Sequence, residues 1–198
     1  LIHCSFQILG IATLCCASIL ANMNIYNFAK ICAEPIHQNM NTNYTKMNSH
    51  FTRTQNSLLQ SASAFGALIS SFPYLLAFQH FSGRYVFLSA GIISIVSTAL
   101  VPLAFHYGFA IFFVTRIFQG IAFSTTLELM GLITHDWALM GEHGMFLAFL
   151  TGSTQLSNVL TMPLSGIICS SYLGWPWVYY IHAIISTILF TIWFLIYR

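Results

Sequence analysis

Residues 108–134 read GFAIFFVTRIFQGIAFSTTLELMGLIT, and this stretch decides the class of the protein. At about 1.5 Å per residue it is long enough to cross a bilayer. It nevertheless carries Arg116 eight residues in, near the midplane. A central Arg costs at least about 2.5 to 3.5 kcal/mol on insertion scales, so such a side chain faces a bundle interior, with a partner, a cavity or a substrate to satisfy it. The rest of the chain is expected to form the wall around that charge.

Composition supports this reading. Of the 198 residues, 57% are hydrophobic and 16% aromatic, and only 5% are charged. That leaves too little polar surface for a soluble domain and implies an all-α polytopic membrane protein. The net charge of +2 comes from scattered residues, with no run that would follow a nucleic-acid backbone, so nucleic acid is not expected as a partner. The five cysteines include no CxxC pair, and Cys15 and Cys16 sit in an apolar stretch as small buried hydrophobes. The chain starts at Leu1 and stops at Arg198 straight after an apolar run, and it is expected to be a fragment or a divergent member of its class.

Outward from residues 108–134, hydropathy gives six spans at about 5–29, 57–79, 85–106, 108–134, 145–169 and 175–197. Residues 30–56 form a polar loop whose Asn43, Tyr44 and Thr45 make a glycosylation sequon, pointing to an outer face. The basic residues split three against two in favour of the opposite orientation. We follow the sequon and place the loop outside and both ends in the cytoplasm. This topology puts Cys32 and Cys169 near the same face, although single thiols near span ends are expected to be free. The cytoplasmic loop 135–144 holds His135, Asp136, Glu142 and His143 without the spacing of ligands preorganised on one helix, so no metal is expected. No Ser/His or Cys/His pair is placed by motif, and neither an enzyme nor a cofactor is expected.

Two features suggest an internal repeat. The second span is rich in small residues from Ser61 to Ser71 and carries Pro73 near its end; the fifth carries Gln155, Asn158 and Pro163. Small faces let helix backbones approach closely. Matching proline-interrupted segments in two three-helix units are a signature of transporters built from inverted repeats.

At residues 155–180, QLSNVLTMPLSGIICSSYLGWPWVYY, the elements Gln155–Leu156, Pro163–Leu164–Ser165–Gly166, Gly174–Trp175 and Tyr179 resemble the fifth and sixth spans of the major facilitator superfamily. Arg116, Gln119 and Gly120 match the R-x-x-Q-G of its anion/cation symporter family, which takes in the sialin-like, vesicular glutamate and type I phosphate transporters. The resemblance implies the N-terminal six-helix half of a twelve-helix transporter that pairs with a second half and moves a small anionic solute by alternating access. It places substrate handling on Arg116, and a guanidinium in a partly dry cavity can hold a carboxylate or phosphate bidentately. Gln119, Asn24 and Gln155 are the further candidate substrate contacts, and Gly120 and Phe123 the candidate cavity wall.

The departures from the family are equally specific. Phe123 stands where many members have a glutamate linked to proton coupling, and Asn22 where many have an arginine in the first span. The superfamily's loop motif after the second span falls on Leu75, Gln79, His80, Ser82, Arg84 and Tyr85 and keeps one basic residue. These changes leave open an alternative of a different class, a non-transporting half-transporter or scaffold that pairs with a related chain.

Overall fold

The structure is a computed structural model that describes residues 2–32, 52–138, 141–171 and 174–197. The sequon at Asn43 lies outside the described residues. Among the described residues six helices follow in order: α1 (Ile2–Cys32), α2 (Arg53–His80), α3 (Gly83–Tyr107), α4 (Phe109–Trp137), α5 (His143–Ser170) and α6 (Trp175–Ile196).

Local chemistry sets the ends of these helices. Thr52 caps α2 through a capping box, its hydroxyl accepting from the Gln55 amide while the Gln55 side chain accepts from the Thr52 amide. Gly108, at φ 109°, ends α3 and begins α4, a conformation that favours glycine and folds the two helices back on each other. Gly174, at φ 76°, leads into α6 with Pro176 in its first turn, where a missing N–H costs nothing. Pro73 and Pro163 lie inside α2 and α5 respectively, and each helix runs on past its proline.

Among the described residues five helices, all but α5, are long and apolar enough to cross a membrane. α5 has the length, 28 residues. It falls short in hydropathy because Thr151, Ser153, Thr154, Gln155, Ser157 and Asn158 crowd into two turns.

The pattern of contacts has an internal symmetry. The most extensive packing joins α2 with α4; α1 with α5 and α3 with α4 follow equally, and then α1 with α6 and α3 with α6. Exchanging α1 with α4, α2 with α5 and α3 with α6 maps these pairs onto one another, as a three-plus-three repeat would.

The α2–α4 crossing is built on small residues. A Cβ at Gly120 would sit 1.9 Å from the Ser63 carbonyl oxygen, and one at Gly66 would sit 2.3 Å from that of Ile117. Only hydrogen at both positions allows the backbones so close. Ser70 and Ser124 continue the seam, their hydroxyls 2.8 Å apart.

Arg84, the basic residue left in the loop motif, bridges the start of α3 to the end of α6. It donates to the Phe194 carbonyl and lies over the Phe194 ring at 4.1 Å. A cation here satisfies a C-terminal carbonyl of α6 and favours its dipole.

The core divides by height. One apolar cluster holds Ile8 to Ile19 of α1 with Phe87, Leu129, Ile133, Phe146, Phe190 and Trp193. The other holds Ile25, Leu59, Val101, Phe105, Phe112, Val178 and Tyr179. Between them α1 contributes Asn22, α3 Ser94 and Thr98, α4 Arg116 and Gln119, and α6 His182 and Ser186, all buried. A polar layer thus lies midway along the bundle.

Candidate functional site: the polar layer around Arg116

Arg116 is 2% exposed. It lies on the inner side of α4, where α1 and α2 both pack against that helix. Its Nη1 donates to the Gln119 side-chain oxygen at 2.6 Å and to the Met23 carbonyl of α1 at 3.1 Å, and Nε donates to the Leu59 carbonyl of α2 at 3.4 Å. The guanidinium also lies over the Tyr26 ring, 4.7 Å from its centroid. Tyr26 is held in turn by an edge contact to Phe112 and by a hydrogen bond from its hydroxyl to Asn56. A helix carbonyl already bonded within its own ladder keeps a second lone pair, and that is what Met23 and Leu59 offer.

These partners are neutral. Among the described residues the only ion pair joins His135 and Asp136, far along α4 from Arg116. The cation is solvated by dipoles and a π-face, and its charge is not cancelled by a carboxylate.

Gln119 orients the group. One turn after Arg116, it accepts from the guanidinium and donates through Nε2 to Thr98 at 3.2 Å and to the Asn22 carbonyl at 3.4 Å. Asn22 donates to both Ser94 and Ser186 at 3.0 Å. Its Oδ1 is buried without a hydrogen-bond partner. α1, α3, α4 and α6 are thereby tied together at one height.

The remaining candidates separate. Asn24 is half-buried and donates to Asn158 of α5 at 3.0 Å, a second polar contact distinct from the Arg116 group. Gln155 is exposed, one turn before Asn158 on α5, and shares its strip with exposed Thr151 and Thr154. Gly120 faces the Ser63 backbone at the α2–α4 crossing. Phe123 is half-buried against the first apolar cluster.

Sequence reasoning missed Tyr26, Thr98, Ser94, Ser186 and the two backbone carbonyls. Single hydroxyls and a tyrosine in apolar runs carry no spacing signal, and a carbonyl carries none at all. The expectation of free thiols near span ends is also corrected. Cys169, at the end of α5, is disulfide-bonded, while Cys15 and Cys16 are free and buried. Two thiols brought to one end of a bundle by helix packing can pair in an oxidising compartment, a proximity that hydropathy does not reveal.

The comparisons with known proteins agree with this architecture. The Major Facilitator Superfamily profile matches residues 8–198. Human sialin is 29% identical over 153 residues, 73% of this chain and 31% of sialin. The probable small intestine urate exporter of Mus musculus is 30% identical over 137 residues, 69% of this chain and 28% of the exporter. Sodium-dependent phosphate transport protein 1 of Mus musculus is 28% identical over 140 residues, covering 71% and 30% of the two chains. The matched region spans less than a third of the length of these relatives. With its six-helix repeat, its intramembrane arginine and this profile match over nearly its whole length, the chain is an integral multi-pass membrane protein that belongs to the major facilitator superfamily.

Proposed function

We propose that the chain is the N-terminal six-helix half of a transporter of small organic or inorganic anions, working by alternating access against a second six-helix half. The observation that carries this reading is the buried guanidinium of Arg116, whose hydrogen-bond partners among the described residues are neutral. An anion is the ligand that balances such a charge, and the planar fork suits a carboxylate or phosphate. Gln119 positions the fork. The relatives include a probable urate exporter and a sodium-dependent phosphate transport protein, whose named solutes are anions of the same class.

A second observation supports the missing half. Thr154 and Gln155 are exposed along the middle of α5, where lipid would offer no hydrogen bonds. A facing bundle or an aqueous cavity between two bundles would satisfy them, which would put Gln155 and the nearby Asn24 on the substrate path. Arg116 is closed over in this conformation, so an anion reaches it only when α1 or α2 moves, as rocking bundles allow. With Phe123 in the coupling position, no carboxylate on that turn carries a proton.

The same burial favours the second reading, a non-transporting half that serves as a scaffold for a related chain. There Arg116 locks α1 and α2 onto α4 and never meets solute.

Uptake into proteoliposomes separates the two. The complete protein is tested with radiolabelled phosphate, urate, sialic acid and glutamate under proton and sodium gradients. The expected result is uptake of at least one anion, reduced about 10- to 100-fold in Arg116→Ala, the loss of a charge-assisted hydrogen bond of about 1.5 to 3 kcal/mol. Absence of uptake for every anion under both gradients, with anion binding equal in wild type and Arg116→Ala, refutes transport and leaves the scaffold.

A further inference from the structure

A groove of about 430 Å³ lies between α5 and α6, with α1 as its floor. It exists because α5 and α6 each pack on α1 but only slightly against one another. Its volume falls in the range of small-molecule sites, roughly 300 to 1,000 Å³. Leu14, Leu160 and Ile185 on its rim are exposed and apolar, as are Ile167, Ile184 and Ile188 around it, so the groove opens onto a surface suited to lipid.

Besides the hydroxyls of Ser18 and Ser186, two polar groups interrupt the apolar lining. His182 lines the groove and is only 5% exposed, and its Nε2 has no hydrogen-bond partner. On the opposite wall, Pro163 lacks the N–H that the Val159 carbonyl would take four residues on, and both residues line the groove. An unsatisfied polar group in a bilayer costs several kcal/mol, so His182 Nε2 calls for a partner, and the Val159 carbonyl, without its usual N–H four residues on, has a lone pair to accept a hydroxyl. No charged side chain lines the groove, which therefore offers nothing to an anion and is separate from Arg116.

We propose that this groove binds a small uncharged amphiphile from the bilayer, an alcohol or phenol with one hydroxyl. Its apolar body lies between α5 and α6. Its hydroxyl both accepts and donates, matching the His182 imidazole on one side and the Val159 carbonyl on the other. Ser186, also on the lining, accepts from Asn22, so an occupant bonded to His182 joins the polar layer directly.

Photolabelling tests this with the full chain in lipid nanodiscs, 3-azioctanol as probe and peptide mapping by mass spectrometry. The expected result is saturable labelling confined to residues 14–21, 159–167 and 182–189, displaced by excess octanol and at least about tenfold less well by octane, which lacks the hydroxyl. His182→Phe weakens labelling about tenfold, the equivalent of one hydrogen bond of about 1.4 kcal/mol, and His182→Gln restores most of it. Leu160→Trp, at an exposed position, fills the groove and removes the label without unfolding the protein. Labelling that does not saturate and spreads equally over the exposed faces of α2 and α3 overturns the proposal. So does saturable labelling unchanged by His182→Phe and Leu160→Trp, or equal displacement by octane and octanol.

Discussion

Gly120→Ala should loosen the protein at its most closely packed crossing, and the structure gives the size of the effect. The new Cβ would lie 1.9 Å from the Ser63 carbonyl oxygen, which is backbone and cannot swing aside. Carbon–oxygen contacts between packed helices sit near 3.3 Å, so α2 and α4 must part by about 1.4 Å. Overpacking of this kind costs about 1 to 3 kcal/mol. The same shift reaches Arg116, one turn earlier on α4. Its Nε bond to Leu59 of α2 is already 3.4 Å long, and breaking it costs about 1 kcal/mol more. The sum, about 2 to 4 kcal/mol, corresponds to a drop in Tm of roughly 5 to 15 °C for a chain of this size. Thermal unfolding followed with a thiol-reactive dye suits the measurement, because Cys15 and Cys16 are free and fully buried until the helices separate. Gly131→Ala is the control on the same helix, since its Cβ would meet nothing within 4 Å. It should be neutral or gain up to about 1 kcal/mol from helix propensity. If Gly120→Ala melts with Gly131→Ala, the close crossing and the account of Arg116 built on it are wrong.

Gln119→Leu should destabilise by about 1.5 to 3 kcal/mol in the same melting assay, because it strips the acceptor 2.6 Å from the guanidinium. Gln119→Glu should melt within a few degrees of wild type yet abolish anion uptake, since a carboxylate there would cancel the charge offered to solute; unimpaired uptake would count against Arg116 as the anchor. Pro163→Ala restores the α5 ladder bond to Val159 and should raise stability by about 1 kcal/mol, read as a shift in Tm. Cys169 should resist maleimide until reductant is added, whereas Cys15 and Cys16 should stay unreactive with or without it until the protein is heated.

The legible part of the fold was whatever length and hydropathy encode. Apolar stretches separated by Gly108 or by Gly174 and Pro176 announce helices and their reversals, and Arg116 announces itself because a charge at membrane depth is rare. Even there, α5 shows the limit. Six polar residues in two turns keep its hydropathy low, and its place in the bundle is set by what it packs against, not by lipid.

What the sequence determined by itself is therefore the class: a helical membrane bundle with one basic residue predicted at its centre, and a chain whose motifs match one superfamily. What only the tertiary structure decided is how that charge is held. Hydrogen bonds to the Met23 and Leu59 carbonyls, the face of Tyr26 and the chain from Gln119 through Thr98 and Asn22 to Ser186 join residues up to 164 positions apart. A pattern along one helix reports which side is apolar. It cannot report which carbonyl or hydroxyl of another helix arrives opposite, because that depends on how closely the backbones approach, and here Gly66 and Gly120 set the distance.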